Sequence, residues 1–149
     1  MAAVRRADAT WRGDLVSGKG TVTATSSGVF KDLDVSWARR SEPDANGVTS
    51  PEELLAAAHA ACFAMALSAG LGRAGTPPEE LNVTANVTFD RVGEGFKVVS
   101  SALEVRGRVP NMDEAAFVQA AEGAKDGCPI SGALKGNVEL TLDVQLVAE

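Results

Sequence analysis

The chain has 149 residues, long enough to bury a core, and residues 1–149 read as one domain. With 45% hydrophobic and 23% charged residues it has the balance of a globular protein, not of a disordered or fibrous one. Its formal net charge of -6 argues against nucleic-acid binding by simple electrostatics.

Residues 1–14 hold Arg5 and Arg6 with no apolar run behind them, which does not fit a secretory signal and predicts a cytoplasmic protein with reduced thiols. Ala7 to Asp14 is a weak strand containing Trp11, and Leu15 to Gly20 is a turn. The spacing of Gly13 and Gly18-Lys19 imitates a phosphate loop. However, Gly20 stands where a hydroxyl must bind magnesium, and the β-rich Thr21 to Thr25 follows instead of a helix. Leu33 to Arg40 alternates apolar and polar residues and predicts a half-buried strand, followed by a loop to Val48.

A long helix is predicted from Pro51 to about Leu71. Ser50 suits the N-cap, Pro51 the first helical position, and Glu52 and Glu53 the first turn. Ser50 and Glu53 also have capping-box spacing. From Leu54 to Leu71 there is no formal charge, so a membrane span has to be weighed. The run is largely alanine, His59 lies inside it, and no Trp or Tyr belt flanks it. A helix covered on most sides by other elements is the better reading.

Leu81 to Phe89 and Phe96 to Val109 alternate and form an antiparallel pair about Gly93-Glu94-Gly95. Asn111 is the expected cap of a helix from Met112 to Gly127 with Phe117, Val118 and Ala121 as its core stripe. Cys128 to Lys135 is a break and a short helical turn, and Val138 to Leu146 is a last strand. The order predicts an α+β fold with antiparallel sheets around a long central helix.

The two cysteines differ in surroundings. Cys128 sits at a helix start ahead of Pro129, where unpaired N–H groups favour a thiolate. Cys62, mid-helix among alanines, reads as a buried thiol unless a cation lies nearby. His59, three residues earlier, is one candidate cation, although a lone histidine in such a helix also fits a packed core residue. Arg39 and Arg40 are the others, and on a strand only one of them could face inward. Cys62, His59 and Cys128 lack the paired spacing of a zinc site, so no metal is expected.

Ser50-Pro51-Glu52-Glu53-Leu54, Ala57-Ala58-His59-Ala60-Ala61-Cys62-Phe63 and Cys128-Pro129-Ile130-Ser131 together resemble the OsmC/Ohr family of thiol-dependent hydroperoxide reductases. The likeness extends to Gly18-Lys19-Gly20 and Trp37-Ala38-Arg39-Arg40, and the His59 form of the helix is closer to the OsmC branch. The resemblance implies an OsmC-like fold, an intertwined homodimer, and peroxidase chemistry in stress defence without metal or bound organic cofactor. It makes Cys62 the peroxidatic and Cys128 the resolving cysteine, which reverses the local ranking of the two thiols. It makes Glu52 the helix-start carboxylate and Arg40 the active-site arginine, with Arg39 as the alternative. The substrate would be an organic hydroperoxide, favoured by an apolar lining that includes Ala58, Phe63 and Met65. The reductant would be an external dithiol such as a lipoylated protein.

One inference comes from geometry. Glu52 and Cys62 are ten residues apart, about 15 Å along a helix, so Glu52 cannot touch the sulfur of its own helix. It would hold an arginine or act from a second copy of the chain. A thiol–disulfide oxidoreductase and a binding module for a small apolar ligand are the rival readings. The module gives no reason for the two cysteines to lie within disulfide reach.

Overall fold

A computed structural model describes residues 1–148. The chain forms two compact units, Met1–Leu54 and Leu55–Glu149, and their boundary falls in the first turn of a 23-residue helix.

In the first unit, β1 (Asp8–Arg12), β2 (Lys19–Thr23) and β3 (Leu33–Val35) form an antiparallel sheet in chain order. Trp11 pairs with Gly20, and a Cβ on Gly20 would lie 2.5 Å from the indole, so the ring itself demands glycine there. The Gly-Lys-Gly segment is thus a turn and strand start that seats a tryptophan. The predicted strand over Leu33 to Arg40 stops at Val35. Ser36 accepts a hydrogen bond from the Arg39 N–H at 3.3 Å and caps a short helix, α1 (Trp37–Ser41). No apolar side chain of this unit is fully buried.

The long helix α2 (Pro51–Arg73) begins as its sequence predicts, with the Glu53 N–H donating to Ser50 Oγ at 3.1 Å. The reciprocal half of the capping box is absent, because Glu53 accepts from the Thr49 hydroxyl at 2.6 Å instead. His59, Phe63, Leu67 and Leu71 recur every fourth residue as one stripe and are wholly buried. By length and composition alone α2 could cross a membrane. Here its stripe joins Leu103, Val105, Phe117 and Ala121 in the core of the second unit.

The second sheet has the order β4 (Glu80–Val92), β5 (Gly95–Arg108), β6 (Glu139–Leu146). β4 and β5 pair antiparallel, with a bulge beside Thr88 and Phe89. β6 lies parallel to β5, so this sheet is mixed and not wholly antiparallel. The chain re-enters it through α3 (Glu114–Gly127) and α4 (Pro129–Leu134), and such a crossover returns a strand in the same direction. The cap of α3 is Asp113, whose carboxylate accepts from the Ala116 N–H at 2.8 Å, whereas Asn111 takes the left-handed turn before it with φ +62°. Phe117, Ala121 and Ala124 form the buried stripe of α3, and Val118 is half-buried.

Candidate active site

In the first unit, α1 and the first turn of α2 bring together two of the candidate residues. Arg40 Nε lies 3.0 and 3.2 Å from the two Glu52 oxygens, and its terminal nitrogen lies 2.8 Å from Oε1. This is a forked, charge-assisted pair on a carboxylate whose side chain is only 8% exposed. Arg39 turns elsewhere, to Glu42 and the Asp44 carbonyl, each at 3.4 Å. The two arginines separate because neighbouring helix positions point in different directions. Trp11, Leu15, Val35 and Trp37 line a cleft of about 290 Å³ that includes Arg40.

In the second unit the two cysteines meet. Cys62, half-buried at the middle of α2, lies 3.0 Å from Cys128, and both thiols are free. Cys128 closes α3 and opens α4, with Pro129 in the first position of α4. Its side chain is 1% exposed, and it is held there by an N–H bond to the Ala124 carbonyl at 2.8 Å. A cleft of about 620 Å³ opens on Cys62, with Met65, Ala66, Ala69 and Arg73 along α2 and Ala120 and Ala124 on α3. Phe63 does not line it, since it lies wholly in the core.

Burial pushes the Cys62 thiol up, and the hydrogen bond with Cys128 adds to this, against one opposing N–H from Ile130. Burial acts the same way on Cys128. There the Cys62 thiol, the N–H and hydroxyl of Ser131 and the N–H of Ile130 outweigh it and hold the thiol below its ordinary value. The first proton lost therefore leaves a shared Cys62 S–H···Cys128 thiolate pair. Within this unit the more acidic thiol is the more hidden one.

His59 is not the cation beside Cys62. Its Nδ1 lies 2.7 Å from Ser101 Oγ and its Nε2 2.8 Å from Ser131 Oγ, all of them buried. Burial also lowers its pKa and keeps it neutral. Ser101, Ser131 and Arg73 are not legible as site residues in the sequence. Ser131 enters the sequence reading only as the end of the Cys128-Pro129-Ile130-Ser131 motif, and Ser101 leaves a trace as a polar residue in the inward-facing series that continues with Leu103 and Val105.

Residues 44–143 match the family model described as OsmC-like protein. The chain belongs to the OsmC-like family. Among curated OsmC-like relatives, the Peroxiredoxin OsmC of Escherichia coli (strain K12) is 44% identical over 142 residues, covering 95% of this chain and 96% of that one. The Organic hydroperoxide resistance protein of Xanthomonas axonopodis pv. citri (strain 306) is 33% identical over 120 residues, covering 80% and 82%. Among solved structures, the Organic Hydroperoxide Resistance Protein OhrB of Bacillus subtilis matches with a TM-score of 0.73 at 27% identity, covering 94% of this chain and 98% of that chain. The α+β architecture with two small sheets and a long helix is thus an OsmC-like fold.

Proposed function

We propose that this OsmC-like protein is a peroxidase that reduces organic hydroperoxides to alcohols with Cys62 and Cys128. The observation that carries the reading is a pair of free thiols 3.0 Å apart with unequal access, one facing a cleft and one buried. Inert thiols in a binding module would have no reason to meet. The names of the two curated relatives point the same way.

Unequal access supports the roles that the family resemblance implies. The proton shared by the two sulfurs shifts to Cys128, and Cys62, now the thiolate, attacks the terminal peroxide oxygen. The O–O bond breaks, the alkoxide leaves and takes a proton to become the alcohol, and Cys62 becomes a sulfenic acid. The Cys128 thiolate then attacks the Cys62 sulfur. The S–O bond breaks, and the oxygen leaves as water after gaining a proton. An external dithiol, such as a lipoylated protein in the cytoplasm, reduces the disulfide, so no bound cofactor or metal is required. The low pKa of Cys128 suits this order, because the resolving thiolate is ready when the sulfenic acid forms. Arg40, anchored by Glu52, is assigned the cation's part, favouring the reactive thiolate and the departing alkoxide.

The working form is proposed as a homodimer. Ala57, Ala58, Ala61 and Met65 leave a small, apolar face of α2 exposed, and the first unit buries no apolar side chain of its own. A monomer by light scattering at micromolar concentration would refute the dimer. The chemistry is tested by thiol titration and intact mass after one equivalent of cumene hydroperoxide. Wild type should lose both thiols, Cys128→Ser should trap an oxidised Cys62, and Cys62→Ser should stay inert. Peroxide consumption by Cys62→Ser would swap the roles, and an inert wild type would end the reading.

A further inference from the structure

The cleft that opens on Cys62 carries a charge that the steps above leave unused. Cys62, Ala66, Ala69 and Arg73 recur along α2 at the spacing of a single helix face, and Ala120 and Gly123 of α3 line the same trough. At about 100° per residue, these α2 positions lie roughly 90° around the helix from the exposed Ala57, Ala58 and Ala61. The trough is therefore a different face of α2 from the one proposed to meet a second copy. Cys62 stands towards one end of it and Arg73 at the other. Among the described residues that line it, Arg73 is the only charged one.

The fold makes no visible use of Arg73. A cation in the last turn of a helix commonly bonds the final carbonyls. Here the carbonyls of Gly70, Leu71 and Gly72 already accept from the N–H groups of Ala74, Thr76 and Gly75 at 3.1, 2.9 and 3.1 Å, and the Thr76 hydroxyl also donates to Leu71. No carboxylate among the described residues pairs with Arg73. Its guanidinium lies back along the trough over Gly70, where an added Cβ would meet a terminal nitrogen at 3.9 Å. From Cys62 to Gly70 the helix rises about 12 Å. An extended chain advances about 3.5 Å for every three bonds, so roughly ten bonds span from the sulfur to the guanidinium.

We propose that Arg73 is a specificity-determining residue: it selects a hydroperoxide whose unbranched apolar chain ends in a carboxylate, and holds that carboxylate while the peroxide lies at Cys62. A planar guanidinium matches a carboxylate, and alanine and glycine walls match a slender apolar chain. The net charge of -6 repels anions in general, so this cation acts by its position in the cleft. The inference deepens the peroxidase reading and rests on it for the reaction, though not for the binding.

The test uses a labelling probe in place of peroxide. In Cys128→Ser, whose one thiol is Cys62, an iodoacetamide group on an unbranched chain alkylates the thiolate. The carbon–sulfur bond forms, the carbon–iodine bond breaks and iodide leaves, and intact mass follows the rate. A probe with a carboxylate about ten bonds from the reacting carbon should label about fivefold faster than its primary-amide counterpart, the upper end for an exposed ion pair. Taking this ratio within each variant cancels any change in the Cys62 thiolate itself. Arg73→Gln should bring the ratio to about one, Arg73→Lys should keep part of it, and added salt should weaken it. A carboxylate only two or three bonds from the reacting carbon should gain no advantage. A ratio of one in the parent protein, a ratio that Arg73→Gln leaves unchanged, or an equal preference for the short carboxylate would overturn the proposal. If Arg73→Gln does not fold, the chain-length comparison decides. Reduction of cumene hydroperoxide by a protein without the Arg73-dependent ratio would overturn this inference and leave the peroxidase reading standing. A protein inert to cumene hydroperoxide that still shows the ratio would do the reverse.

Discussion

Oxidising the Cys62–Cys128 pair should stabilise the second unit by about 2–4 kcal/mol, as the following magnitudes show. The two residues are 66 positions apart, and the chain-entropy relation gives about 4 kcal/mol at 25 °C for a loop of that size. From a separation of 3.0 Å the sulfurs need approach by only about 1 Å to bond, so little native strain is set against this gain. With a urea dependence of about 2 kcal/mol per molar, the midpoint should rise by about 1–2 M. The assay is urea unfolding of reduced and oxidised protein by far-ultraviolet circular dichroism, which follows the helices and long strands of the second unit. Trp11 and Trp37, the two tryptophans of the chain, both lie in the first unit, so their fluorescence reads separately the part where no crosslink forms. An oxidised midpoint equal to or below the reduced one would refute the reasoning, because it would mean the fold does not hold the sulfurs in bonding position.

Gly107→Ala should destabilise the protein by about 1–3 kcal/mol, because its Cβ would lie 2.3 Å from the buried Phe117 ring, and adding Phe117→Leu should recover part of the loss in a double-mutant cycle. Strictly additive costs would show that the ring does not rest on that glycine. Glu52→Gln should cost about 1–3 kcal/mol in fluorescence-detected unfolding, and Arg40→Lys should also destabilise, since lysine cannot reproduce the fork. A cost for Glu52→Gln below about 0.5 kcal/mol would make the pair an ordinary surface contact. His59, the chain's one histidine, has its pKa lowered by burial, so the unfolded chain takes up its proton first as pH falls. Its contribution is complete above the ordinary value of about 6.5 and is lost below it. The urea midpoint should therefore drop between pH 7 and 5.5 more in wild type than in His59→Asn, and parallel profiles would refute this.

Local signals in the sequence carried far. Ser50, Pro51 and the charge-free run after Glu53 mark α2, and the alternation from Leu81 onward marks β4 and β5, because capping and period-2 patterns are properties of neighbouring residues. The strand expected over Leu33 to Arg40 ends at Val35, because the alternation breaks at Trp37-Ala38 and Ser36 caps a helix there. The direction of β6 was not legible, since a strand's own pattern does not say which way its partner runs. Nor was the setting of His59, whose serine partners lie 42 and 72 positions away. The pairing of Arg40 with Glu52 fits the helix geometry that kept Glu52 away from its own helix's sulfur.

The parallel seating of β6 also has a consequence for how the protein is made. β5 gains β4 as soon as the hairpin between them closes, but its other edge, from Ser100 to Gly107, is matched only by Glu139 to Leu146. Those residues are synthesised only after α3 and α4. Until they emerge, the nascent chain presents an unpaired strand beside an apolar core with both cysteines already in place. An unpaired strand edge is a template for aggregation, and a chain truncated before Glu139 would keep that edge open.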